Sequence, residues 1–192
     1  MNDRLAKKQL GAFEITSGKI TITDPCYEPG AWCSGQLEHV LNGTWHANVF
    51  ISDEGVWGDR VAYLLAYHAE SANYVHLDTY LWQDTGFQIG VDSGQAGIFD
   101  TSVIRNDKGT AAWDAWYDAI IELTNPASVL EGGSVSSTGY GDGLYSCYVI
   151  KDNQDQVIAV KLDFSVVADE DEDWDEDTEN WDEEEYLDEE EV

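Results

Sequence analysis

The sequence predicts a single, mainly β domain followed by a disordered acidic tail. Short segments in which β-branched and aromatic residues alternate with polar ones recur along the chain, with turn residues between them. One segment, residues 110–123, has convincing helical periodicity. Residues 169–192 contain 17 of the 39 acidic residues and no basic residue. We therefore expect residues 1–168 to form a compact antiparallel sheet or sandwich with one amphipathic helix, and residues 169–192 to form the tail.

The charge balance limits the classes of partner. The 192 residues carry a formal net charge of −30, and 22 acidic residues face nine basic ones before residue 169. Phosphates attract Lys and Arg, so a surface this acidic is repelled by nucleic acids and by anionic membranes. We therefore expect neither to be a direct partner.

The N-terminal segment and the cysteines indicate a cytoplasmic protein. MNDRLAKKQL lacks the apolar run of a signal peptide, and no window reaches the length of a membrane span. The three cysteines include no CxxC pair. Cys26 and Cys33 could form a bridge, but reduced thiols are the simpler interpretation for a cytosolic chain.

The first half of the chain is punctuated by turn residues. Residues 1–10 are polar and predict a solvated terminus, in which a helical turn could form. Residues 19–23 alternate as a strand that ends at Asp24-Pro25. Asn42-Gly43, between two apolar segments, predicts a two-residue hairpin. RVAYLLAYHA, residues 60–69, fits a buried strand or a short buried helix, and the turn residues on both sides favour the strand.

Gly86 to Asp100 is the segment around which we expect the domain to be organised. It predicts two short buried strands separated by Asp92-Ser93-Gly94-Gln95, named here the first polar turn. The helix that follows, residues 110–123, is capped by Thr110 and stopped by Asn125-Pro126.

Residues 131–140 are rich in Gly and Ser and predict a loop. Residues 140–145, named here the second polar turn, open a hairpin whose arms are residues 145–150 and 157–164. Its connection contains Asp152-Asn153-Gln154-Asp155.

Four features in this order resemble a known family. A strand runs into Asp24-Pro25, Arg60-Val61-Ala62 opens an apolar run, Val91-Asp92-Ser93-Gly94 precedes Asp100, and Gly141-Asp142-Gly143-Leu144-Tyr145 leads to Asp163-Phe164. Over residues 19–164 the chain is similar to the bacterial and phage family called domain of unknown function 4241. The resemblance implies a mainly β fold and brings no activity with it.

Three carboxylates in the neighbourhood of glycines are candidates for a catalytic site. Asp92, Asp100 and Asp142 could converge to bind a hard cation or to act as acid and base in a hydrolase. Asp and Gly also make good turns, with the carboxylate bonded to nearby backbone amides. The spacing of a calcium loop is absent, so we predict no metal and no cofactor.

Ser93 and Gln95, in the first polar turn, are weaker candidates. A nucleophile elbow needs glycine two residues before the serine, where this chain has Val91. No histidine is paired with Ser93 by spacing. The spacing of Cys26, Cys33, His39 and His46 matches no common zinc site.

The tail contains four large hydrophobic residues that a solubilising segment does not need: Trp174, Trp181, Tyr186 and Leu187. They predict a segment that docks on a basic partner with a hydrophobic groove, although a purely solubilising role is the alternative. We therefore expect a non-enzymatic protein that binds and neutralises a basic, nucleic-acid-binding protein, such as an inhibitor or immunity protein of bacterial or phage origin. The alternative is a hydrolase or metal-binding enzyme that uses Asp92, Asp100 and Asp142.

Overall fold

The computed structural model of the protein describes residues 5–165, which form eleven β-strands in two antiparallel sheets and one α-helix. The mainly β prediction is confirmed. In chain order the elements are β1 Leu5–Ile15, β2 Ile20–Thr23, β3 Ser34–Leu37, β4 Gly43–Asp53, β5 Asp59–His68, β6 Gln83–Val91, β7 Gln95–Asp100, α1 Ala111–Leu123, β8 Ala127–Leu130, β9 Gly133–Ser137, β10 Gly143–Lys151 and β11 Val157–Asp163.

The two sheets pack face to face as a sandwich. One has the strand order β1-β4-β5-β11-β10-β6, and the other has the order β3-β2-β7-β9-β8. The edge strands of the first sheet, β1 and β6, lie against the edge strands of the second, β8 and β3. Glycine permits the closest approach at each edge: a Cβ on Gly11 would lie 3.0 Å from Val129, and one on Gly35 would overlap the Phe87 ring. The sandwich is therefore closed along both sides.

The main core fills the space between the sheets. Along β4, Trp45, Ala47 and Val49 alternate inward, as expected for a strand with one face on the core. Strand β5 is buried on both faces, because Leu65 on its outer face packs with Leu81 and Trp82 from the connection to β6. This confirms that the apolar run at residues 60–69 is a covered strand.

Helix α1 covers the outer face of the five-stranded sheet. Trp113 N–H donates to Thr110 Oγ1 at 3.1 Å, so the predicted cap is present. Ile120 packs with Phe99 of β7 and Val135 of β9 in a second core under the helix. Among residues 5–165, no helix has the length and apolarity that a membrane crossing requires.

Two predictions in the first half of the chain were wrong. Residues 5–10 are part of β1, which pairs with β4 along its whole length. This edge strand buries only Phe13 and Ile15, so its exposed half carries little hydrophobic signal. Asn42-Gly43 does not close a hairpin, because β3 pairs with β2 in one sheet and β4 pairs with β1 and β5 in the other. Residues 38–42 instead cross between the sheets, and Asn42 Oδ1 accepts from Gly18 N–H at 2.7 Å.

The predicted loop at residues 131–140 was also wrong, because it contains strand β9. The small residues of β9 are required by close packing and do not form a turn. A Cβ on Gly133 would lie 2.4 Å from the Phe99 ring. Ser134 and Ser136 are completely buried, opposite Ile98 and Ala96 of β7. The hairpin of β10 and β11 was predicted correctly.

Candidate functional site

The first polar turn carries the chain from one sheet to the other. Strand β6 is an edge strand of the six-stranded sheet, and β7 is the central strand of the five-stranded sheet. The left-handed conformation of Gly94, with φ of 69°, makes this abrupt change of direction possible. The side chains of Asp92 and Ser93 are left at the junction of the two sheets.

Asp24, the residue that follows β2, holds this turn in place. Its side chain is 0% exposed. Its Oδ2 accepts from the backbone N–H groups of Asp92 and Ser93 at 3.0 and 2.9 Å, and its Oδ1 accepts from Ser93 Oγ at 2.7 Å. Cys26 N–H also donates to Oδ1, at 3.0 Å. Four donors thus compensate the buried carboxylate, which ties the end of β2 to the first polar turn.

Asp92 is held by a tyrosine rather than by a cation. Tyr27 Oη donates to Asp92 Oδ2, and the Lys108 ammonium lies 5.8 Å from the centroid of the Tyr27 ring. The hydrogen bond to Asp92, supported by partial burial, raises the pKa of Tyr27 to about 12. Tyr27 therefore stays protonated at neutral pH and keeps donating to Asp92.

A cleft of 470 Å³, named here the helix cleft, lies between the first polar turn and α1. It is lined by Cys26, Tyr27, Asp92, Ser93, Lys108, Trp113, Tyr117 and Ile121. No histidine lines it, and the Ser93 hydroxyl donates to Asp24. A serine nucleophile needs a base that accepts its proton and is in turn oriented by a third group. Because no histidine lines the cleft, the base of a Ser-His-Asp site is missing, and the arrangement does not match such a site.

The thiol beside this turn is not set up as a nucleophile either. Cys26 Sγ lies 3.8 Å from Gln95 Oε1. Burial, together with the negative charge of Asp24, raises the pKa of Cys26 to about 11, against the opposing effect of a hydrogen bond with Ser93. The thiol therefore stays protonated at neutral pH. Cys26, Cys33 and Cys147 are all buried and free, as the reduced-thiol interpretation expected.

Asp100 lies at the opposite end of β7 from the first polar turn, and the strand alone separates the two by about 17 Å. Its Oδ2 accepts from the Ser17 N–H at 3.0 Å and from the Thr16 N–H and hydroxyl, and its Oδ1 accepts from Ser102 N–H at 2.8 Å. Burial opposes ionisation of Asp100. The hydrogen bonds from Ser17, Thr16 and Ser102 outweigh this burial and hold its pKa well below the usual range. Asp100 thus anchors the connection between β1 and β2.

The second polar turn packs directly on the first. Gly143 pairs with Val91, and a Cβ on Gly94 would lie 3.7 Å from Gly141 Cα. The Gly141 carbonyl accepts from Thr138 Oγ1 at 2.6 Å and from Tyr145 Oη at 2.9 Å. The contact between the two turns is therefore filled by backbone and hydroxyl groups.

Asp142 faces a different cleft, named here the acidic cleft, with a volume of 390 Å³. Asp142 and Asp163 both line it, together with Gln88, Tyr140, Leu144 and Ser165, and no basic residue does. The three candidate carboxylates thus occupy three separate environments. Within residues 5–165, no group of three or more His, Cys, Asp or Glu side chains is placed to hold a metal ion.

The sequence interpretation missed Asp24, Tyr27 and Lys108. Asp24 follows a buried strand directly, and a carboxylate at such a position is a signal for a polar contact at the sheet edge. The other two are brought to the first polar turn by tertiary folding alone. Trp174, Trp181, Tyr186 and Leu187 lie outside the described residues, as does the predicted boundary at residue 168.

Comparison with curated proteins gave no match, and comparison with solved structures gave none. One family model matches residues 13–162, from the last residues of β1 into β11, and so spans nearly the whole sandwich. The matched region includes Asp24-Pro25, the first polar turn and the second polar turn. The chain therefore belongs to the family described as Protein of unknown function (DUF4241).

Proposed function

We propose that the protein is a non-enzymatic binding protein that engages a basic protein through the acidic cleft and the acidic segment of residues 169–192. One observation carries the proposal. Ser165, the last residue that the structure describes, lines the acidic cleft beside Asp163. The segment with 17 acidic residues therefore starts four residues after Ser165, which lies in the wall of a cleft that already holds two carboxylates.

The acidic cleft combines negative charge with exposed apolar and aromatic side chains, as protein-binding surfaces do. Leu144 is 67% exposed and Tyr140 is 46% exposed, and both line the cleft. Protein interfaces combine aromatic and apolar anchors with charged groups that steer association and select the partner. A lysine- or arginine-rich partner surface would find both here.

The partner class follows from this chemistry. Clustered carboxylates can take the place of nucleic-acid phosphates on a protein that normally binds DNA or RNA. We therefore propose that the partner is a basic nucleic-acid-binding protein, which this chain inhibits or neutralises. An immunity protein against a basic toxin nuclease is one form of this function.

The hydrolase alternative has less support. Asp92 accepts a hydrogen bond from Tyr27, and Asp100 accepts hydrogen bonds from backbone N–H groups. Asp142 lies in the acidic cleft. An acid and base pair must reach one substrate from the same site, and these carboxylates do not share one.

The test separates specific docking from attraction between charges. A partner is first captured from bacterial lysate with the full chain, purified, and titrated with variants at low and at physiological salt. One variant keeps every charge but replaces the four anchors with serine: Trp174, Trp181, Tyr186 and Leu187. A second neutralises four acidic residues by amide substitution: Glu183, Glu184, Glu185 and Asp188.

We expect the serine variant to lose about 2 kcal/mol or more of binding free energy, because buried aromatic anchors dominate interfaces. The amide variant should mainly slow association and flatten its salt dependence. Leu144→Ser should weaken binding further, whereas Ile121→Ser, an exposed apolar residue on α1, serves as its matched control. A serine variant that binds as tightly as the parent would refute specific docking by the segment.

A further inference from the structure

A third cleft, with a volume of 650 Å³, lies on the other side of Tyr140 from the acidic cleft. It is bordered by the start of β5, by Pro126 and by the glycine-rich connection from β9 to β10. We name it the Arg60 cleft, because Arg60 is the basic residue in its lining. Its volume is within the range of about 300–1,000 Å³ that is typical of small-molecule sites.

Two neutral backbone carbonyls hold the Arg60 guanidinium in position, and within residues 5–165 its positive charge is not paired with a carboxylate. Its Nε donates to the Trp57 carbonyl at 3.0 Å, and its Nη1 donates to the Gly139 carbonyl at 3.1 Å. Gly139 is fitted closely against β5, since a Cβ there would lie 2.3 Å from the Val61 carbonyl oxygen. A guanidinium has five N–H bonds in a rigid fork. The two backbone carbonyls therefore fix the fork and leave three N–H bonds for another acceptor.

No carboxylate of residues 5–165 forms an ion pair with Arg60, although acidic residues greatly outnumber basic ones. Three further polar groups in the cleft also have no hydrogen-bond partner in the described part of the chain: the Asn125 amide, the Ser137 hydroxyl and the Tyr140 hydroxyl. The rest of the lining consists of the Asp59 carboxylate, glycine backbone, and an apolar part formed by Ile51, Val61 and Pro126. A fixed guanidinium, donors around it and an apolar wall are the groups that bind an organic anion.

We propose that the Arg60 cleft binds a small carboxylate with an apolar body, such as an aromatic carboxylic acid or the C-terminal residue of a peptide. The charge of the cleft selects a monoanion. One guanidinium and one carboxylate, that of Asp59, line it, and residues 1–168 are strongly acidic. A phosphate dianion would bring a second negative charge without a second cation to compensate it. This site shares Tyr140 with the acidic cleft, but the proposal does not rest on the proposed function.

The test is calorimetric titration of the full chain with benzoate and with N-acetylphenylalanine, which represent a free aromatic acid and a peptide C-terminus. Benzamide and N-acetylphenylalaninamide are their uncharged counterparts, and phenyl phosphate is the dianion. We expect saturable binding of at least one acid, about tenfold tighter than its amide, since a charge-assisted bond to the guanidinium is lost. The tighter of the two acids identifies the source of the carboxylate.

Arg60→Gln should weaken binding about tenfold or more, and Arg60→Lys should not restore it, because the fork geometry is lost. Arg105→Gln removes the same charge from a distant ion pair with Asp107 and should leave binding unchanged. Should Arg60→Gln fail to fold, Ser137→Ala combined with Tyr140→Phe removes two free hydroxyls and should still weaken binding severalfold. No saturable binding, equal binding of acid and amide, equal binding by the folded Arg60→Gln variant, or tighter binding of phenyl phosphate would each overturn the proposal.

Discussion

Replacing Asp100 with asparagine should lower the free energy of unfolding by about 3 kcal/mol at pH 7. Asparagine keeps the size of the side chain but offers one acceptor oxygen. If that oxygen serves Thr16 and Ser17, the amide nitrogen faces the Ser102 N–H, and a hydrogen bond to a charged acceptor, about 2 kcal/mol, is lost. The bonds that remain lose the charge, which adds about 1 kcal/mol.

The effect should also depend on pH. The pKa of Asp100 is depressed in the folded protein, whereas that of an unfolded Asp is about 3.9. The ionised carboxylate therefore stabilises the fold fully above about pH 5, and this stabilisation declines as the pH falls toward the folded pKa. The difference between the parent and Asp100→Asn should shrink by about 1 kcal/mol between pH 7 and pH 3.

Urea denaturation followed by tryptophan fluorescence measures both quantities. Asp118→Asn is the matched control, because it removes the same charge from an exposed position on α1 and should change stability by no more than about 0.5 kcal/mol at either pH. A loss below about 1 kcal/mol at pH 7, or a difference that is the same at pH 3, would contradict the role assigned to the hydrogen bonds of Asp100.

Three further predictions concern the junction of the sheets and the acidic segment. Asp24→Asn should lower the free energy of unfolding by about 2–4 kcal/mol in the same urea assay, because four donors lose a charged acceptor; a change within experimental error would show that the first polar turn holds without it. Cys26 should react with a disulfide reagent at pH 8 roughly a hundredfold more slowly in the folded chain than in urea, with Cys26→Ser assigning the signal; equal rates would mean that the thiol is accessible and ionised. Deleting residues 169–192 should leave the melting temperature unchanged or slightly higher at low salt, since charge repulsion is reduced, and a large fall would show that the segment is packed on the domain.

Elements with a local signal were predictable from the sequence. Helix α1 follows from apolar spacing and a threonine cap, and the hairpin of β10 and β11 follows from alternation around a turn. Strand β9 could not be predicted in this way, because its glycine is required by the Phe99 ring of a neighbouring strand and its serines are buried opposite Ile98 and Ala96. The crossing between the sheets at residues 38–42 could not be predicted either, because Asn-Gly is a local signal for a hairpin and also fits a connection between two sheets.

The candidate site was predictable only in part. The first polar turn was identified as a centre, and the structure places it at the junction of the two sheets. Its anchor, Asp24, lies 68 residues earlier in the chain than Asp92, so no local pattern links them. The glycines near both residues suggested that Asp92 and Asp100 could converge, yet β7 lies between them, and a strand places its two ends far apart.

The closure of the sandwich limits how any partner can bind. Many proteins recognise extended peptides by letting them add as a further strand to an open sheet edge, where backbone groups supply most of the affinity. Here each edge strand has an edge strand of the other sheet beside it, so an incoming backbone meets a neighbouring strand and not open solvent. Recognition must then come from side chains on loops and clefts, and this should make it selective for the partner's charge and shape rather than for any extended chain.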